Sequence, residues 1–235
     1  MKIKLAISLF FVFLPPQNLR DMIQEIKVKN FLSFKDEVTF SFEATKDTFA
    51  DEYQVVEVAP GVRLLRFAMV YGANASGKSN LLVALDFLQS FCFRQPTISD
   101  EGTHAIPFML DNISKNEPSH FDLVFFVGQT KYAYQLVLDS KQVQLEKLSY
   151  YKSVQPTMLF NRITENGKSV ISYGTGVKIS SVEREKIEVE CLKNMSFFAA
   201  KERANIVLPD IDAAKDWMKE SFMPMISPKT SLFEY

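Results

Sequence analysis

Apolar and polar residues alternate with a period of two along much of this chain, the pattern of strands with one buried face. Residues 23–30 carry it, with Ile26 and Val28 on one side, and Val38, Phe40 and Phe42 carry it again. The two runs are joined by Asn30-Phe31-Leu32-Ser33-Phe34-Lys35 and read as antiparallel strands. Residues 44–52 read as loop, residues 53–58 as a third strand, and Pro60-Gly61 as a turn. Residues 64–71 form an apolar run broken only by Arg66, of the kind that makes a buried strand. The period then becomes helical, with Leu81, Leu85, Leu88 and Cys92 on one face. Residues 94–119 contain Pro96, Pro107 and Pro118 and read as loop, with a short element at 105–110.

Period two returns at Phe121, Leu123, Phe125 and Val127. Gly128-Gln129-Thr130 turns the chain into a strand bearing Tyr132, Tyr134, Leu136 and Leu138. In residues 142–151, Val143 and Leu145 are in one phase and Leu148 and Tyr150 in the other, which predicts a bulge. Runs at 158–163 and 169–173 flank Asn166-Gly167, the strongest short hairpin signal. The last third turns helical. Ser180 and Glu183 have the spacing of a capping box for a helix over 182–192. Residues 194–203 are ambiguous, and Asp210 is placed to cap a helix carrying Ile211, Ala214, Trp217 and Met218, which Pro224 and Pro228 break.

Where the apolar run gives way to the helix stands Gly72-Ala73-Asn74-Ala75-Ser76-Gly77-Lys78-Ser79, followed by Asn80. Glycine, four residues, then Gly-Lys-Ser between a strand and a helix is the phosphate-binding loop pattern. The glycines let backbone N–H groups approach a phosphate, and the helix N-terminus adds its positive dipole end. Lys78 would reach the β- and γ-phosphates as a point charge, and Ser79 would place its hydroxyl on Mg²⁺. ATP and Mg²⁺ are therefore the expected ligands of residues 72–80.

Composition changes this picture little. The chain has 235 residues, 47% hydrophobic and 23% charged, with a formal net charge of −1. It is ordinary globular composition, and bulk charge gives no argument for nucleic acid. Cys92 and Cys191 lack metal-ligand spacing and read as reduced core thiols of a cytoplasmic protein. His104 and His120 have no neighbouring ligands in sequence. Residues 1–14 look like a signal peptide, a basic end and an apolar core, but are too short to span a bilayer comfortably and lack a small-residue cleavage site. The pattern breaks at Pro15-Pro16, so residues 1–21 are expected to be an extension outside the fold, and residues 22–235 the domain.

Taken together, Asn30-Phe31-Leu32-Ser33-Phe34 and the loop through Leu82 resemble ABC-type ATPases of the SMC/RecF/OLD kind, among them bacterial AAA family ATPases. Pro118-Ser119-x-Phe121-Asp122-Leu123, Tyr132-x-Tyr134 and Glu146-x-Leu148 resemble them too, so the likeness covers residues 22–217. It implies an α/β P-loop fold: a mixed sheet around the P-loop helix, an antiparallel β layer and a helical tail. It implies that Phe31, Ser33 and Phe34 lie near the nucleotide, with plain core packing as the competing reading of the aromatics. It implies a glutamine on Mg²⁺, for which Gln129 is a candidate against a merely solvated turn residue. Tyr132, Tyr134, Tyr150 and Tyr151 could stack on nucleic acid or simply pack in the sheet.

The sequence also departs from that family. A Leu-Ser-x-Gly signature helix and an apolar strand ending in Asp-Glu are both missing; Val207-Leu208-Pro209-Asp210 has proline in the strand and Ile211 where the glutamate belongs. The chain therefore reads as the N-terminal part of such an ATPase, linked to DNA repair or phage defence, acting with ATP as a homodimer and with DNA or an effector protein as partners, and not with a membrane. Two other readings stand beside it. One is a degenerate P-loop protein serving as a non-catalytic interaction module. The other is a P-loop kinase, which the long β-meander disfavours because α/β kinases alternate strand and helix.

Overall fold

The computed structural model describes residues 10–13, 21–47, 51–98 and 100–222. Its centre is a seven-stranded sheet built from β2 (Met22–Lys29), β3 (Val38–Ser41), β7 (Ser119–Val127), β8 (Thr130–Leu138), β9 (Val143–Tyr151), β10 (Pro156–Glu165) and β11 (Lys168–Tyr173). The order is β11-β10-β9-β8-β7-β2-β3. Two small sheets join it: β4 (Val55–Ala59) with β5 (Val62–Leu65), and β1 (Phe10–Phe13) with β6 (Phe67–Val70). A short helix α1 (Asp51–Gln54) precedes β4, and the longest helix, α2 (Lys78–Phe93), follows β6. A 3-10 turn covers Ser114–Asn116. The C-terminal helices are α3 (Ser181–Glu190), α4 (Phe197–Ala204) and α5 (Pro209–Asp216), the last continuing into a π-helical turn, Trp217–Ser221.

Local chemistry accounts for these elements. Asn166 and Gly167 both have positive φ, 51° and 76°, as the two-residue turn joining β10 and β11 requires. The bulge expected in residues 142–151 is present: Val137 pairs with Leu145 but Leu138 with Val143, so Gln144 is the extra residue. Ser180 and Glu183 make the capping box of α3. Ser196 caps α4 by accepting from the Ala199 amide, which resolves the ambiguous stretch as helix.

One face of the sheet is covered by helices, the two-layer solution for an amphipathic sheet. Phe160 stacks on Phe197 at 3.9 Å, Tyr134 on Phe198 at 5.5 Å, and Phe125 on Trp217 at 4.2 Å. Phe87 of α2 packs on Phe31 and Phe121. Tyr132, Tyr134 and Tyr150 are buried, so these three belong to the core and offer no surface on which bases could stack.

Several expectations need correction. The fold is a mixture of helices and a large antiparallel layer, but every strand pairing among the described residues is antiparallel, so the sheet is not mixed. Residues 64–71 are not one strand. Arg66, whose amide donates to the Gln54 carbonyl at 2.8 Å, separates β5 from β6, and these pair in different sheets. The expected strand at 53–58 starts only at Val55, after the turn of α1. Residues 105–110 form no regular element. Asp210 does not cap α5: Leu208 is the N-cap with Pro209 at the first position, and Asp212 accepts from the Leu208 amide at 2.7 Å. Phe10–Phe13 lie within the fold, hydrogen-bonded as a strand along β6, whereas the extension reading placed all of residues 1–21 outside it. Pro224 and Pro228 lie outside the described residues.

Asn30 is the chief tertiary joint. It follows β2 with φ 52°, a left-handed conformation that asparagine tolerates better than most residues. Its buried side-chain amide donates to the carbonyls of Ser114, Glu117 and Pro118 at 2.8, 2.9 and 3.2 Å and accepts from the Phe108 amide at 3.1 Å. Ser119 Oγ donates to its main-chain carbonyl at 2.5 Å. Asn30→Ala would orphan buried groups at about 1–3 kcal/mol each and add a left-handed backbone penalty of roughly 1–2 kcal/mol. Some orphaned groups gain water, so we expect a loss of about 3 kcal/mol by urea titration. A loss below about 1 kcal/mol would show that water replaces the amide fully.

Candidate nucleotide site

β6 ends at Val70, and the chain enters α2 at Lys78, so residues 71–77 are a strand-to-helix loop. Gly77 is the N-cap of α2 at φ 87°. A Cβ there would stand 3.1 Å from Ser33 Oγ and 3.3 Å from the Phe34 ring, so the left-handed conformation favours glycine and any side chain would also crowd that turn. Ala75 also has positive φ, 62°, a strained state for alanine within the loop.

Lys78 is folded inward and only 8% exposed. Its Nζ donates to the carbonyls of Gly72 and Ala73 at 3.0 and 2.7 Å and lies 3.4 Å from Ser76 Oγ. The ammonium therefore sits inside the loop that would curl around a phosphate. Ser79 is exposed in the first turn of α2. Asn80 Nδ2 donates to Ser33 Oγ at 2.7 Å, tying that turn to the helix start.

Beside the loop lies a cleft of about 190 Å³ lined by Val28, Phe34, Val38, Thr39, Phe40, Val70, Tyr71, Ser76, Gly77, Lys78 and Leu81. Small-molecule sites usually span about 300–1,000 Å³. The cleft is thus large enough for part of a nucleotide, and the loop beside it for the phosphates. Its apolar side comes from β3 and the end of β6; its polar side is the loop itself. No carboxylate is among the lining residues.

The candidate residues divide accordingly. Gly72, Ala73, Asn74, Ala75, Ser76, Gly77, Lys78, Ser79 and Asn80 stand together with Ser33 and Phe34. Phe31 does not join them: it is 2% exposed, with its ring 5.0 Å from Phe87 and 5.1 Å from Phe121, and so is core. Gln129 sits in the β7–β8 turn, next to Gly128, whose amide donates to Asp21 at the start of β2. Ser33 lies past the other end of β2, an eight-residue strand, which puts Gln129 roughly 25 Å from the loop at about 3.3 Å per residue. It is not placed to meet a cation on Ser79. Asp210 and Asp212 lie at that far end as well, since Tyr132 Oη donates to the Asp210 carbonyl at 3.3 Å. Asp212 is paired with the buried Lys201.

Sequence reasoning missed Val38, Thr39, Phe40, Tyr71 and Leu81 as cleft residues. Their alternation signalled a strand and a helix but not that the two meet. It also missed the buried pair Glu146 and Arg162, which reads as two polar positions in strands. His120 is half-buried on β7, and burial lowers its pKa; among the described residues no group of three or more His, Cys, Asp or Glu could hold a metal. No helix among the described residues is long and apolar enough to cross a membrane.

No curated protein matches this chain. Residues 67–164, less than half of it, match the family model described as "AAA domain, putative AbiEii toxin, Type IV TA system". That segment begins with β6 and takes in the loop, α2 and the first strands of the meander, so the similarity and the geometry meet at the same place and support a P-loop ATPase-type AAA domain that binds nucleotide.

Proposed function

We propose that this chain is the ATP- and Mg²⁺-binding N-terminal part of an ATPase of the SMC/RecF/OLD kind, acting in the cytoplasm in DNA repair or phage defence. The observation that carries it is Lys78, turned into the loop and followed by an exposed Ser79 at the helix start. The loop amides and the N-terminus of α2 would hold the phosphates. Lys78 would exchange two loop carbonyls for the β- and γ-phosphates. Ser79 would ligate Mg²⁺, which, when bound, neutralises phosphate charge. Phe34, Val38, Phe40 and Tyr71 would pack on the base. Ser33, held by Asn80, would orient its hydroxyl toward the loop. A homodimer, DNA and an effector protein are the partners this reading carries; the matched family's description adds a toxin of a Type IV toxin–antitoxin system as the kind of protein to which such a domain can belong.

Hydrolysis requires a group that orients the attacking water, and the cleft has no carboxylate. A lone P-loop holds ground state and transition state alike, which tightens binding without raising kcat. The purified chain should therefore bind ATP in a magnesium-dependent way and release phosphate at the background rate. Ser79→Ala should retain binding in EDTA and lose most of the gain that Mg²⁺ provides. Steady-state phosphate release that disappears in Lys78→Ala would show that the chain carries its own water-orienting group, against this reading. Equal Mg²⁺ dependence in Ser79→Ala would remove Ser79 from the metal.

A further inference from the structure

The turn at residues 30–35 touches two parts of the molecule at once. Toward the loop, Ser33 accepts from Asn80 Nδ2 at 2.7 Å, and Ser33 and Phe34 close over Gly77. Away from it, the same turn grips residues 106–118. The Leu32 amide donates to the Ile106 carbonyl at 2.9 Å, Asn30 makes the bonds described above, and Lys35 pairs with Asp111 at 2.8 Å. Asp111 in turn accepts from the amides of Ile113 and Ser114 at 2.8 and 2.7 Å. The gripped segment presents Ile106, Met109, Leu110 and Ile113, between 52% and 86% exposed.

We propose that this turn is a lever, coupling phosphate occupancy of the loop to the conformation of residues 106–118 and so to the apolar surface they present. The proposal rests on nucleotide binding at residues 72–80. In the structure Lys78 satisfies itself on the carbonyls of Gly72 and Ala73. An arriving phosphate competes for the ammonium, so the loop has two arrangements that a ligand distinguishes, the requirement for any population shift. Asn80 stands two residues beyond Lys78 in the first turn of α2 and carries the change to Ser33 through one hydrogen bond. Asn30 and Leu32 are both left-handed, at φ 52° and 51°, a conformation with few neighbouring alternatives, so the turn moves as a body rather than absorbing the shift. The bonds from Asn30, Leu32 and Lys35 pass it to residues 106–118.

The test is amide hydrogen exchange of the full chain with and without ATP and Mg²⁺, with nucleotide binding measured separately by calorimetry. We expect exchange at the Leu32, Phe108, Ile113 and Ser114 amides to change by about fivefold or more, at the low end of ordinary coupling between sites. The tip of the β10–β11 hairpin should not change. Coupling is reciprocal, so Asp111→Ala, which loosens the far segment without touching the loop, should weaken ATP binding by a similar factor while the variant stays folded by circular dichroism. Binding by calorimetry with unchanged exchange at those four amides would overturn the lever and leave the nucleotide site standing, as would an unaltered Kd in Asp111→Ala. Absence of binding in the unmodified chain would overturn both.

Discussion

Replacing Arg162 with methionine should cost the fold about 3–5 kcal/mol, the usual penalty for stranding one partner of a buried ion pair. Arg162 and Glu146 are both wholly buried, Nη1 to Oε2 at 3.2 Å. The guanidinium also donates to the Met195 and Leu192 carbonyls at 2.6 and 2.8 Å and to Ser169 Oγ at 3.1 and 3.0 Å. It therefore joins β9, β10 and β11 to the segment that leads into α4. Glu146 accepts from Tyr134 Oη at 2.9 Å and from the Phe197 amide, at the start of α4, at 2.8 Å. Burial pushes the Glu146 carboxyl up, and Arg162 opposes that shift most strongly. Without Arg162 the carboxylate must either stay charged in the core or take up a proton. Methionine fills much of the volume, so the loss measures the stranded carboxylate rather than a cavity. For a domain of this size the melting temperature should fall by roughly 10 °C. The double variant Glu146→Gln, Arg162→Met should recover part of it, because a neutral amide's single oxygen still accepts from the Phe197 amide while its NH2 can donate to Tyr134 Oη. A single-variant loss below about 1 kcal/mol would mean that water reaches Glu146.

What could be read from the chain was what is local. The Asn166-Gly167 turn and the capping box at Ser180 each depend on a few consecutive residues, and each stands where the pattern put it; a bulge was legible too, but it falls at Gln144, ahead of Leu145, whereas the phase change placed it between Leu145 and Leu148. The strand-to-helix setting of Lys78 was legible for the same reason. What depends on distant contacts was not. Phe31, Ser33 and Phe34 are one stretch of sequence, but the chain turns between them, sending the Phe31 ring into the core while Ser33 and Phe34 reach the loop. Gln129 is polar in a turn, which says nothing about which end of β2 the turn adjoins. Arg66 carried a usable signal: one charge in an apolar run marked the junction between two strands. Arg162 carried none, because its acceptors at residues 192–195 come together with it only in the folded chain.

The other large effect falls on the loop. Lys78→Ala should weaken ATP binding about a hundredfold, enough to remove a measurable isotherm, while leaving the fold intact. The lysine is the one cation among the residues that line the cleft, and its ammonium is turned onto the loop's own carbonyls. Its loss removes the charge that meets the β- and γ-phosphates and leaves two loop carbonyls, of Gly72 and Ala73, facing the space the phosphate would occupy. A group hydrogen-bonded to phosphate as a charged donor contributes about 1.5–3 kcal/mol, and two uncompensated carbonyl dipoles add to that, so affinity should fall by about a hundredfold. Stability should change little, because Gly72 is partly exposed and Ala73 exposed, so water can take the place of the ammonium at their carbonyls. The decisive measurement is calorimetric titration of ATP–Mg²⁺ into the full chain and into Lys78→Ala under identical conditions. A one-to-one binding isotherm for the chain that vanishes in the variant, with unaltered melting temperatures, is what a phosphate-binding loop requires. An isotherm of equal Kd in both proteins, or none in either, would contradict it.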